Sequence, residues 1–133
     1  MTPDDVRAFF ALVSAGDTAG LEPRLAEDVV LDFPGSRFGG VQQGRRRVLV
    51  FLRQNQRLFQ AGLAFHVTWA AVAGDRAVAQ WTNAGTTREG RAYANRGVTV
   101  FTLRPDAAAP GGAVYARIED YLDTEALAAT WPR

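Results

Sequence analysis

Asp120 is a carboxylate where the alternation of its segment calls for an apolar side chain. Val114, Ala116, Ile118 and Leu122 share its parity between Ala113 and Leu122, and a strand sends every second residue to one face. A carboxylate on an apolar face must be paired, or its pKa rises. Asp120 is therefore half of a structural ion pair with an Arg, or twisted slightly out to solvent, or a pocket acid or base that exchanges a proton with a carbonyl, enol or hydroxyl. Asn95, Gln80 and Thr82 are the groups that would position such a ligand. Asn55, on the apolar face of a helix, is a further candidate.

The composition removes most other chemistry. There is no Cys, a single His (His66), and every one of the 15 basic residues is Arg. Thiolate nucleophiles, Schiff-base lysines and Cys or multi-His metal sites are excluded, so neither a metal nor a cofactor is expected. Net charge is +1, which recruits no nucleic acid. Arg45, Arg46 and Arg47 read as a solvated first helical turn, with an anion contact as the alternative. The start, Met1-Thr2-Pro3-Asp4-Asp5, lacks the regions of a signal peptide, and the longest uncharged run, Leu58 to Gly74, is broken by Gln60, His66 and Thr68. A cytoplasmic chain with no membrane partner is expected.

These side chains need elements to carry them, and 133 residues suffice for one domain. Thr2, Pro3 and Asp5 form a helix start, followed by Val6, Phe9, Phe10 and Val13 at helical spacing. Gly16 ends that helix, and Asp17 caps a shorter one that Pro23 limits. Val29 to Phe33 is a strand, then glycines at 35, 39, 40 and 44 punctuate a loop. A third helix is expected from about Arg45 to Ala61, with Val48, Phe51, Leu52, Leu58 and Phe59 as its apolar face. Period-two segments follow: Leu63 to Ala73, Arg76 to Thr87, Gly90 to Arg104 and Ala113 to Leu122. Thr124 to Trp131 closes the chain as a helical turn or two. Helices segregated from an antiparallel sheet make an α+β fold. A strongly curved sheet under the long helix makes a cone, its three helices from the N-terminal half enclosing a pocket.

Two-residue turns at Gly74-Asp75 and Arg88-Glu89 would pair 69 with 80 and 82 with 95. Trp69, Gln80, Thr82 and Asn95 then share the inner face with Leu63, Phe65 and Val67. His66, Thr68, Trp81, Asn83 and Gly85 fall outside, and Trp81 there suggests a face covered by a second copy of the chain.

Gly16-Asp17, Leu25-Ala26-Glu27-Asp28-Val29-Val30, Phe33-Pro34-Gly35, Phe38-Gly39-Gly40, Gly90-Arg91-Ala92-Tyr93-Ala94-Asn95 and Ile118-Glu119-Asp120-Tyr121-Leu122-Asp123-Thr124 together resemble the SnoaL-like branch of the nuclear transport factor 2-like superfamily. That group includes ketosteroid isomerase, limonene epoxide hydrolase and polyketide cyclases. The resemblance spans nearly the whole chain. It implies that Asp120 matches the Asp that protonates the epoxide in the hydrolase. The middle-strand Arg and Asp of that enzyme fall at Gln80 and Thr82, and Thr82 cannot act as a base. Its Tyr and Asn fall at Val30 and Asp32. The general base of the isomerase falls at Phe33, one residue past Asp32, and its oxyanion-hole Asp falls at Thr99. Asp32 is then either structural or a second pocket carboxylate, and Thr99 either a packing residue or a hydrogen-bond donor.

The expected function is cofactor-free acid/base chemistry by Asp120, with Asp32 assisting, on an apolar ring system of polyketide, terpenoid or steroid type. Asn95, Thr82, Gln80, Asn55 and Thr99 would orient it, and Trp69 and Phe33 would wall the pocket. A cavity that only binds, or a dimeric assembly domain, is the alternative.

Overall fold

The computed structural model describes residues 1–35 and 37–132. The first helix, α1 (Pro3–Ala15), starts with a closed capping box: the Asp5 amide donates to Thr2 Oγ1 at 3.3 Å, and the Thr2 amide to Asp5 Oδ2 at 2.7 Å. Gly16, at φ 65°, ends it in the left-handed region that glycine enters without strain. Val6, Phe9, Phe10 and Val13 are all buried, so this one stripe anchors the helix to the sheet. Each such side chain contributes about 1.5–3 kcal/mol.

Helix α2 (Thr18–Leu21) and a 3-10 turn lead into β1 (Leu25–Phe33), which begins four residues earlier than the periodicity suggests. Gly40–Gln43 forms an additional short strand, β2, inside the glycine-rich segment that reads as loop. Helix α3 (Arg45–Arg57) stops short of the expected Ala61. Strands β3 (Ala64–Ala73), β4 (Arg76–Thr86), β5 (Ala92–Pro105) and β6 (Ala113–Leu122) follow, then α4 (Thr124–Thr130). The sheet order is β2-β1-β6-β5-β4-β3, with β1 and β6 parallel and every other pair antiparallel. The fold is α+β, a six-stranded curved and unclosed sheet with α1 packed across β3 and β4. Phe9, Phe101 and Tyr115 join edge and face at 4.4–5.3 Å between ring centroids, tying helix to sheet.

Two local insertions decide which side chains face inward. Val67 pairs with Trp81, but Trp69 pairs with Gln80, so Thr68 is the extra residue of a β-bulge. The bulge keeps Phe65 and Val67 inside and turns Trp69 outward, where it is 53% exposed. The second insertion lies in the β4–β5 turn. Thr87 N donates to Arg91 O and Gly90 N to Thr87 O, enclosing the three-residue loop Arg88-Glu89-Gly90, with Gly90 at φ 86°. Asn83, rather than Thr82, therefore faces Asn95. The inner set of β4 is Ala77, Ala79, Trp81 and Asn83, all buried, and Gln80 and Thr82 are exposed outside. A further bulge at Ala116 restores the expected parity for Ile118, Asp120 and Leu122.

Trp81 needs room to lie inside, and Gly97 provides it. A Cβ at Gly97 would stand 2.6 Å from Trp81 Cζ2 and 2.5 Å from the Tyr121 carbonyl oxygen. Gly97→Ala should therefore destabilise the fold by about 1–3 kcal/mol through displaced packing. The measurement is a urea midpoint with tryptophan emission as probe; an unchanged midpoint and spectrum would refute the close fit.

Candidate functional site

Between α1, α3, α4 and the inner sheet face lies a cavity of about 390 Å³, within the range of small-molecule sites. Its wall is mostly apolar and aromatic: Phe9 and Phe10 from α1, Phe51 and Leu52 from α3, Phe33, Phe65 and Trp81 from the sheet. Helix α4 contributes Leu127, and Trp131 follows it. Trp131 packs against Phe59 and Tyr93 at 5.9 and 5.4 Å, and Arg91 Nη1 holds the Thr130 carbonyl at 2.8 Å. The expectation that the three earlier helices enclose the pocket is thus corrected. No residue of α2 lines it, and the C-terminal helix does.

Asp120 is the one carboxylate among the described residues that line the cavity. It is not paired with any Arg among the described residues. Thr99, fully buried on β5, donates to Asp120 Oδ1 at 2.6 Å and accepts from Trp81 Nε1 at 2.9 Å. The indole has only a proton to give, so the single hydroxyl proton of Thr99 is directed to the carboxylate. Burial raises the Asp120 pKa to about 6, with the Thr99 hydrogen bond pulling the other way. With Oδ1 engaged, Oδ2 is the oxygen left to exchange a proton.

The remaining sequence candidates divide cleanly. Phe33 and Asn55 line the cavity, and Thr99 stands behind Asp120. Asn95 is buried but saturated. Its Nδ2 donates to Tyr93 Oη at 2.8 Å and to the Asp123 carbonyl at 3.0 Å, while Oδ1 accepts from the Arg96 and Asp123 amides. It ties β5 to the start of α4 and does not line the cavity. Gln80, Thr82 and Trp69 lie on the outer face, for the reasons of register given above, and cannot reach a ligand inside. His66 stands opposite Thr82 on that same face, as expected.

Asp32 is also outside, since Leu31 and Phe33 take the inner positions of β1. Arg117 Nη2 donates to Asp32 Oδ2 at 2.8 Å and Arg117 Nε to Glu119 Oε1 at 3.1 Å. The Tyr121 hydroxyl completes the group by donating to Glu119 Oε2 at 2.7 Å, and this bond leads the lowering of the Glu119 pKa. Asp32 belongs to this surface network and is not a second pocket carboxylate. Trp81 and Asn83, expected outside, line the wall instead, and Leu127 and Trp131 join them from the C-terminal segment. Gly90 was the available signal, because a glycine third in the loop marks the three-residue hairpin.

The model of the SnoaL-like domain family matches residues 6–109. No curated protein matches the chain. A solved protein of ketosteroid isomerase-like fold from Catenulispora acidiphila, in complex with trimethylamine, superposes with a TM-score of 0.80 at 18% identity, over 100% of both chains. A putative polyketide cyclase from Xanthomonas campestris gives 0.76 at 21% identity, covering 93% of this chain and 91% of its own. Another putative polyketide cyclase, from Pseudomonas putida, gives 0.73 at 23% identity over 96% of each chain. At these identities the likeness is one of fold.

Asp120 also predicts how stability responds to pH. Its pKa rises from an ordinary 3.8 to about 6 on folding, so between those values the native chain holds a proton the unfolded chain has lost. Stability contributed by this group therefore falls as pH rises from about 4 to about 6 and stays lower above. Asp120→Asn keeps an acceptor for Thr99 but never ionises. The variant should match the wild type near pH 4 and exceed it near pH 7.5 by on the order of 3 kcal/mol. Urea unfolding at both pH values measures the difference, and parallel pH dependence in the two proteins would sink the assignment.

Proposed function

The chain belongs to the SnoaL-like domain family, and on that footing we propose that it is an enzyme which moves a proton on an apolar cyclic ketone, enol or related ring compound bound in the cavity. The observation that carries this reading is Asp120: a carboxyl in an aromatic cavity, paired with no cation among the described residues, with its pKa raised to about 6. A group poised there changes protonation near neutral pH, which general acid/base catalysis needs. Thr99 and Trp81 fix its orientation and are positioning residues. Polyketide-like, terpenoid or steroid-like rings suit the wall of Phe33, Phe51, Phe65 and Trp81.

With Asp32 bonded on the outer face, one carboxyl serves the cavity. Isomerisation or ring closure through an enol suits a single group that takes a proton and returns it. Hydrolysis that needs a separate acid and base does not. The lone carboxyl equally favours the second reading, a binding protein of the same fold. Our proposal also includes a cytoplasmic location and a homodimer through the outer sheet face. Trp69 and Tyr121, 53% and 48% exposed, take the place there that Trp81 was expected to fill.

Deuterium exchange at the α-carbon of 2-tetralone in D2O, followed by NMR, tests the chemistry with a fused-ring probe. The wild type should accelerate exchange with an inflection near pH 6 and Asp120→Asn should lose about 10²-fold or more of that acceleration. Binding of the probe should persist in the variant. Equal exchange by both proteins would overturn the catalytic reading and favour the binding one.

A further inference from the structure

The cavity wall holds a second polar group that the protein leaves unsatisfied. Asn83 is 6% exposed and lines the cavity, yet no described residue hydrogen-bonds its Oδ1. An unpaired buried amide oxygen is destabilising, and native folds keep few of them. Its neighbour across the ladder, Asn95, shows the contrast. The two residues are register partners of the same type and similar burial, and Asn95 has both ends of its carboxamide engaged. Rotation about χ2 is soft for Asn, so either end of the Asn83 carboxamide can turn to a ligand.

Position adds a length constraint. Asp120 pairs with Thr99, and Thr99 with Ala79, two strands away. Asn83 lies four residues further along β4, with Trp81 between them on the inner face. The two polar groups are therefore about 13 Å apart along the strand direction and about 10 Å across it, before the curvature of the sheet shortens the span.

We propose that Asn83 is the distal anchor of the ligand site, and that the ligand is an elongated apolar ring compound carrying an oxygen function at each end. One oxygen meets Asp120 and the other meets the Asn83 carboxamide, with Trp81 and Phe65 against the rings between. This rests on the reading of the cavity as a small-molecule site and specifies the substrate class that site selects. Asn83 determines specificity and takes no part in proton transfer.

Two rod-shaped probes separate the contributions: 4-hydroxybiphenyl, with one polar end, and 4,4′-dihydroxybiphenyl, with two. Calorimetry on the whole chain should show the wild type preferring the diol about fivefold to tenfold. Asn83→Leu, close in volume and apolar, should bind both probes equally while holding the single-ended one within twofold of wild type. The ligand-free variant should also melt a few degrees higher, because it no longer buries an unpaired amide. A diol preference that survives in Asn83→Leu, a wild type indifferent to the second hydroxyl, or a Tm that falls in the variant would each overturn the anchor and leave the cavity reading intact. If neither probe binds the wild type, the small-molecule reading falls with it.

Discussion

The close packing of the Trp81 indole against Gly97 is the constraint on which the site depends. Only a residue without Cβ lets the ring approach β5 so closely, and only that approach brings Nε1 to Thr99 Oγ1. The hydroxyl then has one direction left for its proton, toward Asp120. A side chain on β4 thereby sets the orientation of a carboxyl on β6, two strands away. The same indole forms the middle of the aromatic wall and packs against Phe65, with ring centroids 5.0 Å apart. Packing, hydrogen bonding and acid strength are joined in one chain of contacts. Burial without Thr99 would push the carboxyl further toward its neutral form. Thr99 without burial would give an ordinary surface acid.

The outer face is the complement of that arrangement. Arg117 gathers Asp32 and Glu119, so the acidic residues that flank Asp120 in space share a cation, and Asp120 has none among the described residues. Three carboxylates within one sheet region thus differ in their partners because strand alternation sends them to opposite sides. Exposed pairs of this kind add little to stability. Their consequence is local: Arg117 is spent on Asp32 and Glu119 at the outer face and does not pair with Asp120.

How much of this was legible in the sequence differs from residue to residue. Asp120 was found because Ile118 and Leu122 bracket it at strand spacing and the last strand is regular between them. Asn55 was found from its place on the apolar face of its helix, and Phe33 from the position that the family resemblance gives it. Gln80, Thr82 and Trp69 were misplaced by one single-residue event, the Thr68 bulge, and a second, the Gly90 loop, returns Asn95 to the inner face opposite Asn83. Period-two reasoning has no tolerance for such an event, since one residue moves a whole strand's side chains to the other face. The Gly90 loop carries a glycine as a marker. Thr68 carries none, because a bulge of this kind requires no special residue type.

By itself, the sequence determined the element order apart from β2, the α+β class, the helix start at Thr2, and the exclusion of thiol, amine and imidazole chemistry from the interior. Each of these follows from local spacing or from composition, and local physics suffices for both. Tertiary structure alone decided that Trp81 and Asn83 face inward, that Asp32 pairs with Arg117, that Asn95 is spent on the α4 junction, and that the C-terminal helix closes the cavity. Those outcomes depend on which strands pair in which register, and on which side chains distant in the chain compete for one partner. No local pattern encodes such competition, because its terms are distances that exist only after the sheet has curved and closed over its core.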